Sequence, residues 1–446
     1  MTYEHVRVRF TRSEKVGEAY NEVDICTIGD DDIITLDATT ETDATAKHVP
    51  CSTLSLTTLN TLPELSDIEQ TAKQGKVKVY LSFGKTSFEW FMSYFIDKIT
   101  RNEETCEAEI IAYDYLYYLS GIEYNGYSLQ SKTFSQIANG IIDSNFPVFG
   151  ALAPFENGYP IDFPNGQGSI STRGFIPKTT MREAFRLVAE ASSTAMCFIN
   201  DRFVFKAPME PVDETYIGRD YIVEGTHTVT AQNDDVALEI KYYGYGAAVT
   251  TTELAKESDV VVSAWNASDP SASLVSKLID LQFFPVDPSS VEIYTESRAT
   301  HSHIVYGDTI GVTLSNITPS DYTTFITIIG KPYAVDEKSI TIKSGNAQEK
   351  EIIDNRLIGT KTRASSVYLL HNAYDVAAKR HSFELVGMDF GLLDCVRLPG
   401  MDENSDLLIV KKEVRMSAKD QSVVYEAIEH RNATALALTM EGGTDE

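Results

Sequence analysis

Alternation of apolar and polar residues dominates the first third of the chain. Val6, Val8 and Phe10 repeat at every second position, as do Val77, Val79 and Leu81, and an aromatic-rich segment FEWFMSYFIDKI follows at 88–99. A period of two sets such side chains on one face of a strand, so all three stretches predict strands. The polar turn TRNEET at 100–105 leads from the third into CEAEIIAYDYL. That pair reads as an antiparallel hairpin, and apolar residues on both of its faces suggest a barrel or sandwich.

The period changes at Thr133. In TFSQIANGIIDS, Phe134, Ile137, Ala138, Ile141 and Ile142 fall at i, i+3, i+4, i+7 and i+8, a single helical stripe. Thr133 and Gln136 have capping-box spacing, and the same device opens TMREAFRLVAEAS at Thr180 and Glu183. The second stripe is Met181, Ala184, Phe185, Val188 and Ala189, and MCFINDRFVFKAP after it reads as a hairpin about Asn200 and Asp201 that covers both helices. The stretch 146–174 between the helices is rich in Pro and Gly and predicts a surface loop.

Strands return beyond about 210. YGDTIGVTL at 306–314 with FITIIGKPYAVDEKSITIKS at 325–344 is similar to FGLLDCVRL at 390–398 with LLIVKKEVRMSAKDQSVVYEA at 407–427. This is either an internal repeat or two unrelated hairpins with ordinary turn chemistry. Between the two, SSVYLLHNAYDVAAKR at 365–380 sets Val367, Leu370, Tyr374, Ala377 and Ala378 on a helical stripe.

Composition narrows the function classes. A chain of 446 residues, 43% hydrophobic and 23% charged, can bury more than one core and suggests two to four domains. Its net charge of −27, from 65 acidic against 38 basic residues, disfavours stable nucleic-acid binding, which needs clustered Lys and Arg. The five cysteines, Cys26, Cys51, Cys106, Cys197 and Cys395, are odd in number and form no CxxC pair, so a reducing compartment fits best. The start MTYEHVRVRF lacks the apolar core of a signal peptide, and no run of about eighteen apolar residues could span a bilayer.

No catalytic signature is present: no GxSxG elbow, no HExxH, no GxxxxGK[ST] loop and no thiol in a signature context. His301 and His303 put two imidazoles on one face of a strand, but without Cys, Asp or Glu at ligand spacing the reading is an exposed strand. Asp30, Asp31 and Asp32 lack the calcium-loop pattern and read as a solvated turn, and NGQG at 165–168 sits in no βαβ unit. The sequence therefore names no catalytic, cofactor-binding or metal residue, although a carboxylate pair assembled by folding needs no fixed spacing.

The order of parts carries a resemblance. VPCSTLSLTTLNT at 49–61, the hairpin ending in EAEIIAYDYLYYL, the capped helix TFSQIANGII, then TMREAFRLVAEASSTAMCFINDRFVF and the helix-to-strand run LLHNAYDVAAKRHSFELVGMDFGLLDCVRL together resemble tail-hub proteins of tailed bacteriophages. That family includes the baseplate hub of contractile tails and the N-terminal hub part of siphophage tail-associated lysins. The resemblance covers most of residues 1–430 and rests on patterns of apolar and turn residues. It implies an α+β, mostly β chain with two β-barrel-like domains, smaller α+β insertions and a ring-forming homotrimer, its six similar barrels continuing a sixfold tail tube toward a threefold tip.

On that basis residues 1–112 are expected to form a first β-barrel domain completed by 210–245, and 113–209 an α+β insertion. Residues 246–352 would begin a second β domain, 353–380 would be a helical insertion, 381–430 would supply the second domain's last strands, and 431–446 would be a C-terminal tail. The implied partners are further copies of the chain, the distal tail protein, the tail tube protein, the tape measure protein, and a tip, spike or receptor-binding protein on the C-terminal side. Host-envelope contact is a further implied partner. DNA would pass only as cargo, through a lumen lined by acidic side chains, in a virion assembled in the host bacterial cytoplasm.

Two other readings stay open. One is a tail-associated cell-wall hydrolase, although only RNATALALTMEGGTDE follows His430, which is short for a catalytic domain. The other is a host-receptor-binding tip protein using loops within 146–174. The tyrosine run AYDYLYYLSG at 112–121 is expected as a strand end with its rings turned to one side together, packed at a domain junction rather than serving as a subunit interface or ligand platform.

Overall fold

The computed structural model describes residues 5–16, 19–73, 77–84, 88–143, 161–199, 201–208, 215–231, 236–248, 250–266, 268–344, 350–374, 378–386, 388–401, 405–417 and 421–431. Seven strands come first: β1 (His5–Val16), β2 (Ala19–Gly29), β3 (Ile33–Glu41), β4 (Thr53–Leu59), β5 (Val77–Gly84), β6 (Phe88–Asn102) and β7 (Glu107–Tyr113). Their alternation works as expected. Val6, Val8 and Phe10 of β1 are buried while Arg7 and Arg9 face water, and Val77, Val79 and Leu81 of β5 are buried on the same core. Helix α1 (Glu64–Ala72) adds Leu65 and Ile68 to that core. The expected hairpin is β6 paired antiparallel with β7.

The insertion begins with α2 (Tyr115–Leu119), followed by β8 (Glu123–Tyr124), β9 (Tyr127–Thr133), α3 (Phe134–Asp143), β10 (Ile161–Asp162), β11 (Ser171–Ile176), β12 (Thr179–Thr180), α4 (Met181–Ser192), β13 (Ala195–Ile199) and β14 (Arg202–Lys206). All ten residues of the two helical stripes are buried in one core. Thr133 and Gln136 form the full capping box: each backbone amide donates to the other's side chain, at 3.0 and 3.2 Å. At α4 the Thr180 hydroxyl accepts from the Glu183 amide, while the Glu183 carboxylate turns to Arg186. The β13–β14 hairpin covers the helices, with Phe203 stacked on Phe185 at 5.1 Å. Of the loop expected over 146–174, residues 146–160 lie outside the described residues, and the remainder is not all loop: it holds β10, a 3-10 turn at Gln167–Ser169 and most of β11.

Two short strands, β15 (Thr215–Tyr216) and β16 (Thr228–Ala231), lead to the second β body: β17 (Val236–Ala248), β18 (Thr252–Val262), β19 (Leu274–Asp280), β20 (Glu292–Tyr294), β21 (Ala299–Val305), β22 (Thr309–Asn316), β23 (Tyr322–Gly330), β24 (Tyr333–Ser344) and β25 (Glu351–Ile353). Sheets β18-β23-β20 and β19-β22-β21 close on one core as a small sandwich. Sheet β24-β17-β25 instead lays Leu238, Ile240 and Ile353 on the core of the insertion.

Helix α5 (Lys361–Tyr374) then returns the chain to its beginning through β26 (Lys379–Glu384), β27 (Cys395–Arg397), β28 (Ser405–Ser417) and β29 (Gln421–Arg431). In α5, Val367 packs on the insertion, and Leu370 and Tyr374 pack on Ala44, Leu408 and Ile428.

Here the expected domain plan fails. The strands over 381–430 do not finish the second β body, because β28 pairs with β3 from Lys411↔Glu41 to Ser417↔Thr35. One large sheet results, in the order β16-β26-β29-β28-β3-β4-β7-β6-β5-β1-β2, with β27 joined to β28 and β15 to β27. Residues 210–245 give it only β15 and β16, and β17 leaves for another sheet. The similarity between 306–344 and 390–427 is not one of structure: β23 and β24 lie in different sheets, whereas β28 and β29 pair with each other. Similar turn chemistry there serves two different pairings. The fold is mostly β with several sheets, none of which closes on itself among the described residues.

Glycines let the bodies meet. A Cβ on Gly307, in the turn before β22, would lie 2.0 Å from the Ile176 carbonyl oxygen, and one on Gly126 (φ 96°) 2.6 Å from the same oxygen. Beside them Thr309 Oγ1 donates to the Asn125 carbonyl at 3.1 Å, and the Lys178 amide donates to Asp308 at 2.6 Å.

Candidate functional site

The tyrosine run is not a strand end. Asp114 breaks the alternation in an extended conformation at the N-cap of α2, so Tyr115, Tyr117 and Tyr118 sit on a helical turn and their rings diverge. Tyr115 is buried against Phe95, Phe198 and Phe203. Tyr118 donates its hydroxyl to the Phe95 and Ile96 carbonyls of β6 at 3.1 and 3.3 Å. Tyr117, which is exposed, stacks on Tyr113 at 4.1 Å. The run thus packs the first β body against the insertion. Asp114 is fully buried and joins the same junction: its carboxylate accepts from the Ser52 amide at 2.8 Å, and its own amide donates to the Ser52 carbonyl at 2.9 Å. Burial pushes its pKa up to about 7, against the hydrogen bond from the Ser52 amide that favours the charged form.

A crevice of about 240 Å³ opens at the start of α4, lined by Lys47, His48, Val49, Thr180, Arg182, Glu183 and Arg186. Its cations are all engaged. Arg182 donates from Nε to the Val49 carbonyl at 2.8 Å, Arg186 is held by Glu183 and Glu190 at 2.9 Å, and Lys47 reaches Glu351 at 2.7 Å. Glu190 is buried and also accepts from Asn355 Nδ2 at 2.9 Å. The arrangement straps the 42–52 segment and the 354–360 segment to α4, with Arg186 and Lys47 paired to carboxylates and Arg182 held by a backbone carbonyl.

The other motifs singled out in the sequence stay apart. His301 and His303 lie on β21, His301 exposed, and among the described residues no group of three or more His, Cys, Asp or Glu could hold a metal ion. Asp30 accepts from the Val6 amide and bonds His5 Nδ1, both at 2.5 Å, closing the β2–β3 turn onto β1. In NGQG, Asn165 Oδ1 accepts from the Ala207 amide at 3.0 Å and Gly168 is buried against Phe163. The five cysteines are free thiols, and burial pushes Cys26, Cys51 and Cys197 up to about 12. No helix among the described residues is long and apolar enough to cross a membrane.

Two features left no trace in the sequence. One is a side-chain chain across the large sheet: Asp201, at the tip of the β13–β14 hairpin, binds Lys78 and Ser93, Lys78 reaches Tyr80 at 2.6 Å, and Tyr80 donates to Glu22 at 2.6 Å. It ties the insertion to β5, β6 and β2. The other is the outer surface of the small sandwich. The pairs Val261↔Thr323 and Tyr294↔Thr327 flank Phe325 on the outer face of β18-β23-β20, and Val261, Tyr294 and Phe325 are exposed there. At the end of the sandwich Trp265 and Ile317 are also exposed, with the Trp265 amide donating to the Thr318 carbonyl. Which face of a strand stays open depends on what covers it, and that is not written in the strand's own lettering.

No protein-family model matches the chain. No curated protein matches it. Solved structures similar to it include a tail protein from Neisseria meningitidis MC58, with 8% identity, TM-score 0.48, and 96% of this chain and 97% of that chain covered. Another is the prophage tail protein gp18 from Listeria monocytogenes EGD-e, at 12% identity, TM-score 0.45 and coverage of 95% and 94%. A third is the prophage MuSo2 43 kDa tail protein from Shewanella oneidensis, at 9% identity, TM-score 0.46 and coverage of 95% and 98%.

Proposed function

We propose that the chain is a structural protein of a bacteriophage tail: the hub of the tail tip or baseplate, a homotrimer that joins the tail tube and distal tail protein to the tip or spike. Its two β bodies surround the channel through which the genome leaves. The tail assignment rests on the order of parts that the sequence resemblance names. The observation that carries assembly is the apolar outer surface of the small sandwich, where Val261 is 60% exposed and Ile317 59%. Large apolar side chains grouped on one sheet face and left in water favour contact with another protein.

The net charge of −27 suits a conduit, because each Lys–phosphate contact would release counterions and hold the passing DNA. The test is the solution mass of the purified chain: about three times 49.5 kDa is expected, and a stable monomer at micromolar concentration overturns the hub reading. A lumen lined mainly by Lys and Arg in the assembled particle would remove the charge argument.

A further inference from the structure

At one end of the large sheet three ionisable side chains line up, the first exposed and the other two buried. His227, exposed just before β16, meets His381 of β26, with Nε2 and Nδ1 3.1 Å apart and ring centroids 5.3 Å apart. The other ring nitrogen of His381 looks toward Glu429 of β29, Nε2 to Oε2 3.7 Å. His381 and Glu429 are both buried. Glu429 is held in turn by Lys379 at 3.3 Å and Ser405 at 3.1 Å. His227, Glu429 and Lys379 are the titratable groups acting on His381, and β16 itself, TVTA, brings none.

A hydrogen bond between two imidazoles needs one N–H and one lone pair at the contact. The neutral pair satisfies this. So does the pair with one added proton, whether His227 carries it on Nδ1 or His381 carries it between His227 and Glu429. A second proton puts hydrogen on both contacting atoms, and the bond becomes a repulsion between two cations. Burial, and then the neighbouring His227, lower the pKa of His381, against the attraction of Glu429. The strand this contact holds is short: among the described residues β16 pairs only with β26, over four residues from Thr228↔Ser382 to Ala231↔Lys379, at the sheet edge, with Val223 and Thr226 bonded to Glu384 just before it.

We propose that His227 and His381 form a proton-operated clasp that keeps β16 on the large sheet at neutral pH and releases it on acidification, loosening the segment between the insertion and the second β body. The clasp is independent of the tail reading. The lowered folded-state pKa of His381 means its contribution to closure is fully present above the free-imidazole value of about 6.5 and is lost as pH falls below it. With one more proton bound in the open state, the opening constant rises at most about tenfold per pH unit in that window.

Hydrogen–deuterium exchange of the full chain between pH 7.5 and 5.0, corrected for intrinsic exchange rates, tests this. Protection of a peptide spanning 226–231 is expected to fall below pH 6.5 with a slope approaching tenfold per unit, while a peptide from β7, in the interior of the sheet, shows no such fall, since the neighbouring Asp114 gains stability on acidification. His227→Gln keeps an amide that can donate to His381 but cannot titrate, and it is expected to flatten the profile; His227 is exposed, so this variant spares the core. His381→Gln is expected to flatten it too. Constant protection of 226–231 in the wild type, an equal fall in His227→Gln, or an equal fall in β7 overturns the clasp.

Discussion

Asp114 concentrates the conflict between burial and charge in one carboxyl. It is needed where it stands because its backbone is exchanged with Ser52 and its side chain accepts from the Ser52 amide, yet ionised it is stranded in the core beside the fully buried Tyr94. Its pKa, raised from 3.8 to about 7, means that the fold prefers the protonated form. The contribution to stability is therefore fully present below about pH 4 and is lost as pH rises toward 7. Asp114→Asn is expected to raise the thermal midpoint at pH 8, by on the order of a few kcal/mol of stability at most, and to flatten its dependence between pH 5 and 8. A variant less stable than wild type at pH 8 contradicts this. The position also shows what was legible. Period-two lettering runs on from Ile110 through Leu116, but the buried set Tyr115, Leu116 and Leu119 has helical spacing and Asp114 is a favoured N-cap, so the turn was in the sequence and the alternation masked it. His227 and His381, 154 residues apart, offer no local signal at all.

At the scale of elements, signals contained within one turn or one hairpin were readable. The capping box of α3, both apolar stripes and the β13–β14 hairpin follow from residues within about a dozen positions of each other. Docking between elements was not. Gly307 reads as part of an ordinary YGDT turn, and its actual constraint is the Ile176 carbonyl on β11. Gly307→Ala is expected to drive the 306–309 turn off that strand, since the methyl group would meet backbone rather than a yielding side chain, at a cost of about 1–3 kcal/mol. The Lys178–Asp308 and Thr309–Asn125 bonds would weaken with it. Calorimetry should then show the small sandwich melting ahead of the rest; a single transition at the wild-type temperature would show that the contact does not couple the two bodies.

For the whole molecule, alternation located strands but could not say which strands pair, because each exposes the same kind of edge. The consequence is the misplaced boundary: residues 381–430 look like a continuation of the second β body and in fact join the large sheet, where β28 pairs with β3. A fragment of residues 1–245 separates the two plans. If 210–245 completed the first domain it would be soluble and folded; with β28 absent, β3 is left as an open edge, and the fragment is expected to aggregate. Co-expression of residues 350–431, which carry β28 and its partner β29, is expected to restore solubility.

The seam between β3 and β28 also sets the order of events at the ribosome. β3 emerges early, and its neighbour β28 is made more than 360 residues later, so at synthesis rates of about 5–20 residues per second the nascent chain spends on the order of twenty seconds or more with that edge uncovered. The inserted helices and the small sandwich can form meanwhile, each from local sequence. The largest sheet can be zipped only once β28 and β29 have been made, which makes their arrival the step that commits the molecule to its native form.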